Sequence, residues 1–133
     1  MKRITVVGAI IIEDGKILCA QRGNEKALPN LWEFPGGKIE TGETAIEALE
    51  RELKEELKIE VTVHPEMFEE TAYLYDFGEV VLTTFICYLE KGEPVLTEHH
   101  QVKWVTPEDL DQLTWAPADI PAVHKLMEKG VKV

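Results

Sequence analysis

Three glutamates, Glu52, Glu55 and Glu56, fall at positions i, i+3 and i+4 of the segment with the clearest helical signal in the chain. Thr44 with Glu47 three residues on forms a capping box, which predicts that a helix starts there. Ile46, Leu49, Leu53 and Leu57 supply its apolar stripe. Glu47 and Arg51 are spaced to pair across one turn. The three acids lie on a face displaced from the stripe. The helix must therefore bury one side and direct its carboxylates into a cleft, where they repel one another unless a divalent cation sits among them.

The rest of the chain supplies a sheet for that helix to cover. Residues 3–12 are apolar on both faces, as in a central strand. Asp14-Gly15 is a hairpin turn signal, with Lys16–Arg22 as the returning strand. After a polar loop over residues 23–31, Trp32–Ile39 reads as a short extended piece broken at Pro35-Gly36-Gly37. Ile59–Val63, Glu69–Tyr75, Val80–Leu89 and Val102–Val105 read as further strands, and Pro107–Leu113 as a short helix. A last helix starts at Asp119 or Ile120 and buries Val123, Leu126 and Met127. Strands flanked by two main helices predict an α+β fold with a mixed sheet between helices, as one domain over residues 1–133.

Charge narrows the partners. With 14 basic and 25 acidic residues the net charge is −11. Such a surface repels nucleic-acid polymers and anionic membranes, whereas a small polyphosphate can bind if metal ions bridge it to the protein. No apolar run approaches the roughly 20 residues of a membrane span. The apolar stretch after Met1-Lys2-Arg3 is expected to be a strand and not a leader, because it is β-branched and runs into Glu13-Asp14-Gly15. Cys19 and Cys87 each lie inside an expected strand and read as small buried hydrophobes, which suits a reducing cytoplasm.

The run Gly36-Gly37-Lys38-Ile39-Glu40-Thr41-Gly42-Glu43, continued by Arg51-Glu52-Leu53-Lys54-Glu55-Glu56-Leu57, resembles the Nudix box. Gly37, Glu43, Arg51, Glu52, Leu53, Glu55, Glu56 and Ile59 match it in type and spacing, and only Lys58 departs, standing where the pattern has glycine. Either a lysine takes the left-handed cap, at a cost of roughly 1 kcal/mol relative to glycine, or the helix ends differently; neither touches the carboxylates. The resemblance implies the Nudix α/β/α sandwich. It implies metal binding by Glu52, Glu55 and Glu56, an orienting role for Arg51, and a supporting acid in Glu43. A later glutamate, for which Glu98 is the candidate, completes the metal shell or serves as base. The cofactor expected is Mg2+, with Mn2+ as a substitute, and the Gly36-Gly37 turn, through Gly36, offers a main-chain carbonyl as a further ligand. His99 and His100 are expected to be solvated or capping residues, because a hard cation prefers oxygen.

Beyond the box, Trp32–Glu40, Ala20-Gln21-Arg22 and Ala116–Pro121 are similar to the MutT-type branch, whose members hydrolyse nucleoside triphosphates to a monophosphate and pyrophosphate. Asp119 stands where MutT has asparagine. An ionised aspartate only accepts, which suits an exocyclic amino group such as cytosine N4; a protonated one donates to a carbonyl, but only if burial raises its pKa. Asp119 is also a candidate helix N-cap, and the two roles can coexist. Phe34 and Trp32 are candidates for stacking on a base or for the core, and Arg22 and Lys38 for phosphate contacts or surface ion pairs. The expected substrate is 8-oxo-dGTP or a cytidine triphosphate, modified or not, acted on by a monomer or weak homodimer. The alternatives are a Nudix enzyme of ADP-ribose or a dinucleotide, and a non-catalytic nucleotide sensor.

Overall fold

Arg3–Glu13 (β1) stands at the centre of a mixed sheet in the computed structural model, which describes residues 2–130. Along the chain follow Lys16–Arg22 (β2), Trp32–Glu33 (β3), Gly36–Lys38 (β4), the helix Ala45–Leu57 (α1), Glu60–Tyr75 (β5), Gly78–Lys91 (β6) and His99–Val105 (β7). Two 3-10 turns, Pro107–Gln112 and Pro117–Asp119, lead into the helix Ile120–Lys129 (α2). The main path of the sheet is β3-β2-β1-β6-β5. β1 runs parallel to β6 over ten residues and turns into β2 through Asp14 and Gly15, both at positive φ, as a two-residue hairpin turn of this hand requires.

β1 and β2 stay paired only at Ile12–Ile17 and Glu13–Lys16. β2 then pairs with β7 and β3, while β4 takes over the vacated edge of β1 at Val6–Gly8. The β3–β4 segment thus bridges the splay between two strands. The period of two along β1 divides the core: Val7, Ala9 and Ile11 pack with Leu49, Leu53 and Leu57 of α1, while Ile10 packs with Ala122, Val123 and Leu126 of α2. The sheet lies between two helices, as expected. Cys19 and Cys87 are buried, and burial pushes both thiols up to about 12, so they act as apolar filling.

Several boundaries differ from the sequence expectation. The strands anticipated at Ile59–Val63 and Glu69–Tyr75 are one 16-residue strand, β5, because bulges between Val63 and Glu69 absorb Pro65 without ending the pairing with β6. β7 begins at His99, three residues early, because β2 pairs it that far. Lys58 does take the left-handed conformation (φ 59°, ψ 36°), and its N–H bonds to the Leu53 carbonyl. Among the described residues no helix is long and apolar enough to cross a membrane.

Candidate active site

α1 presents its acids around Arg51, and the guanidinium resolves much of their repulsion. Nε and Nη2 of Arg51 donate to both oxygens of Glu43, at 2.6 and 2.9 Å. Nη1 donates to Glu52 Oε1 at 2.7 Å and to Glu55 Oε1 at 3.0 Å, and Nη2 also reaches the Lys38 carbonyl at 3.2 Å. Glu43 is held down to about 2, first by Arg51 and then by the Glu40 N–H. The expected Glu47–Arg51 pair does not form, because the Glu47 carboxylate caps the helix through the Thr44 N–H. A cation is thus not needed to hold Glu52 and Glu55 together; a basic side chain already does so.

Glu56 lies outside this network. Its Oε1 is buried and has no hydrogen-bond partner among the described residues. Burial first, then the adjacent Glu98 carboxyl, then the charge of Glu52 push it up to about 9. Glu98 is held below its ordinary value, chiefly by hydrogen bonding to Glu56, and Lys26 Nζ stands 3.4 Å from its Oε1. The loop carrying Glu98 meets the last turn of α1, where Thr97 bonds to the Glu56 carbonyl.

Gly36 and Gly37 have separate reasons to be glycine. A Cβ on Gly36 would stand 2.0 Å from the Val7 carbonyl oxygen, so that residue lets β4 close on β1. A Cβ on Gly37 would stand 2.2 Å from Glu52 Oε2, so that residue makes room for a carboxylate. A cleft of about 620 Å3, of the size that takes a small-molecule ligand, is lined at this end by Gly36, Gly37, Lys38, Glu52 and Glu56. Glu55 does not line it. Among the described residues no three His, Cys, Asp or Glu side chains converge as a preformed metal cluster. The donors still fit a hard divalent cation, since they are all oxygen and one is a buried carboxylate oxygen with nothing to bind. A cation that keeps waters and binds phosphate needs only one or two protein carboxylates.

The far end of the cleft is apolar, with Ile4, Val80, Leu82, Phe34, Tyr75 and Phe77. Phe34 is both core and lining: it packs on Trp115 with ring centroids 4.8 Å apart and still faces the cleft. Trp32 is core only, with Lys103 Nζ over its ring. Asp119, 6% exposed, holds the N-cap position of α2 but makes no side-chain capping bond; its Oδ2 accepts from the Phe34 N–H at 3.0 Å. Burial first and the nearby Glu33 second push it well above the ordinary aspartate value, the direction that a donating Asp119 requires.

Between the two ends stands a group that the sequence pattern did not mark. Glu33 joins Arg22 Nη1 at 2.7 Å and His99 Nε2 at 3.0 Å. Burial would raise Glu33, but the His99 and Arg22 hydrogen bonds hold it below its ordinary value. Arg22 also donates to the Ala27 carbonyl, so it lines the cleft as half of an ion pair. Lys38 lines the cleft with no carboxylate within ion-pair distance among the described residues. His99 is buried at the cleft wall, contrary to the expectation of a solvated residue, because Glu33 draws it in; His100 is exposed. Glu33 could have been suspected as the one acid between two buried aromatics.

The NUDIX domain family model matches residues 1–126. The chain is 40% identical over 129 residues to a protein named CTP pyrophosphohydrolase from Escherichia coli K12, covering 96% of this chain and 93% of that one. It is 34% identical to an 8-oxo-dGTP diphosphatase of the same organism, over 95% and 98% of the two chains. The solution structure of a DNA mismatch repair protein MutT, of the Nudix hydrolase family, from methicillin-resistant Staphylococcus aureus 252 superposes with a TM-score of 0.79 at 53% identity, covering 97% of this chain and 98% of that one. On this agreement of sequence and fold, the chain belongs to the Nudix family and is a Nudix hydrolase.

Proposed function

We propose that the cleft takes a nucleoside triphosphate, with the base at the Phe34–Asp119 end and the phosphates at the Glu52–Glu56 end, and that the products are a nucleoside monophosphate and pyrophosphate. The observation that carries this reading is the partnerless buried Oε1 of Glu56, on a carboxyl that lies beside Glu98, in a cleft that also holds the apolar wall of Phe34, Tyr75 and Leu82 with the buried Asp119. The relatives' names, a CTP pyrophosphohydrolase and an 8-oxo-dGTP diphosphatase, support the triphosphate class.

Nudix hydrolases generally need a divalent metal such as Mg2+. Here Glu52, Glu56 and Glu98, with the Gly36 carbonyl, would hold it, and Glu55 adds charge at the rim. When bound, such an ion neutralises phosphate charge and acidifies a water into a nucleophile. Arg51 keeps Glu52 aimed through a charge-assisted bond. Lys38, and Arg22 through whatever Glu33 leaves free, offer positive charge to the phosphates in an otherwise acidic molecule. Glu98, from the loop that meets the end of α1 beside Glu56, is the group assigned to accept a proton from water. At the other end Oδ2 of Asp119 is occupied by the Phe34 N–H, which leaves Oδ1 to meet the base. Protonated, Oδ1 donates to a purine carbonyl; ionised, it accepts from an amino group. Both 8-oxoguanine and cytosine therefore remain within its reach.

A side-by-side screen of normal, oxidised and methylated nucleoside triphosphates, together with ADP-ribose and dinucleotides, with Mg2+, scored by pyrophosphate and by nucleoside monophosphate release, tests the reading. Release from 8-oxo-dGTP or a cytidine triphosphate supports it. Turnover of ADP-ribose or dinucleotides alone, or none with any substrate, refutes it.

A further inference from the structure

Glu98 lies in the irregular stretch between β6 and β7, yet it is set against the Glu56 carboxyl. Its own tether, Lys26 at 3.4 Å, is exposed and weak. Its two neighbours are tied down far better. Thr97 Oγ1 donates to the main-chain carbonyl of Glu56 at 2.5 Å. His99, its side chain 5% exposed, reaches Glu33 Oε2 at 3.0 Å from the first residue of β7. Val95 N–H donates to the Leu57 carbonyl at 2.9 Å. Residues 95 and 97 thus satisfy carbonyls that the end of α1 leaves open, at the turn where Lys58 stops the helix.

We propose that Thr97 and His99 are positioning residues that bracket Glu98 and fix its carboxyl against that of Glu56; this rests on the site role given to Glu98 above. The anchor of Thr97 is the main chain of Glu56 itself. Any shift of the last turn of α1 therefore carries Glu98 with it, and the pair keeps its separation. His99 supplies the second fixed point from the opposite side, through a glutamate that Arg22 holds in turn. Neither residue needs to touch substrate for this role.

The test combines Thr97→Val, which removes the hydroxyl at nearly constant shape, Thr97→Ser, which restores it, His99→Leu, and His99→Gln, which keeps a donor at similar reach. Mn2+ affinity of the nucleotide-free protein is read by electron paramagnetic resonance, and kcat and KM by pyrophosphate release. Loss of a group that orients a metal-binding side chain typically costs about 10- to 100-fold in affinity or activity. Thr97→Val and His99→Leu are therefore expected to weaken Mn2+ binding about 10-fold and to lower kcat with little change in KM, with Ser and Gln restoring both. In a Glu98→Gln background Thr97→Val should cost nothing more. Unchanged Mn2+ affinity in Thr97→Val, or an undiminished further loss in the Glu98→Gln background, overturns the bracket. If the Mn2+ results hold but wild-type protein releases no pyrophosphate, the proposed activity falls and the bracket stands.

Discussion

Replacing Glu56 by Gln is expected to stabilise the metal-free protein at neutral pH while removing activity. In the folded state Glu56 is pushed up to about 9 by burial, Glu98 and Glu52. In the unfolded chain it titrates near the ordinary glutamate value of about 4.3. Between those two values the folded state holds more protons than the unfolded one, so stability falls as pH rises. Taken to neutral pH and discounted for partial solvent screening, the loss is on the order of 1–2 kcal/mol. For a domain of this size that is roughly 4–8 °C in Tm. Gln carries no charge and escapes the loss. The assay is thermal unfolding with chelator from pH 5 to 9: wild type should lose stability across the range, and Glu56→Gln should lose less and melt higher at pH 7–8. Added Mg2+ should raise the wild-type Tm by mass action and the variant's much less. Superimposable pH profiles with chelator would refute the reasoning, since Glu56 would then be no more costly to ionise folded than unfolded.

Three further outcomes follow from the geometry. Asp119→Asn should move the ratio of kcat/KM away from cytidine and toward 8-oxoguanine triphosphates, because an amide donates and accepts at any pH; an unchanged ratio means that Asp119 does not read the base. Gly37→Ala should cut turnover at least 10-fold with little loss of stability, since its Cβ meets the Glu52 carboxylate, whereas Gly36→Ala should cost roughly 3 kcal/mol or more in denaturant unfolding, since its Cβ meets the Val7 carbonyl. Lys58→Gly should raise stability by about 1 kcal/mol in the same experiment, because the residue sits at φ 59°.

What was legible in the chain was local. The capping box and the hairpin at Asp14-Gly15 each depend on residues within a few positions, and each stands as expected, whereas the pattern left open whether Lys58 would take the left-handed turn it adopts. The central place of β1 was legible because both of its faces are apolar and each finds a helix. The errors lie where distant groups compete for one side chain. Glu47 was free to choose Arg51 or the Thr44 N–H, and only the arrival of Glu43 on Arg51 settles it. Asp119 was free to cap its own helix until Phe34, 85 residues away, offered an N–H. His99 and Glu33 are 66 residues apart and meet only because β7 and β3 flank β2.

The central claim is that a divalent cation enters the cleft between the end of α1 and the Glu98 loop. The direct measurement is a Mn2+ titration of 15N-labelled protein with a non-hydrolysable nucleoside triphosphate analogue, following paramagnetic broadening of amide signals. Broadening should centre on Gly36–Lys38, Glu52–Glu56 and Thr97–His99, and disappear in Glu56→Gln at the same Mn2+ concentration. Broadening centred instead on the pocket lined by His64, Met67 and Lys125, with the α1 signals unaffected, would contradict the account.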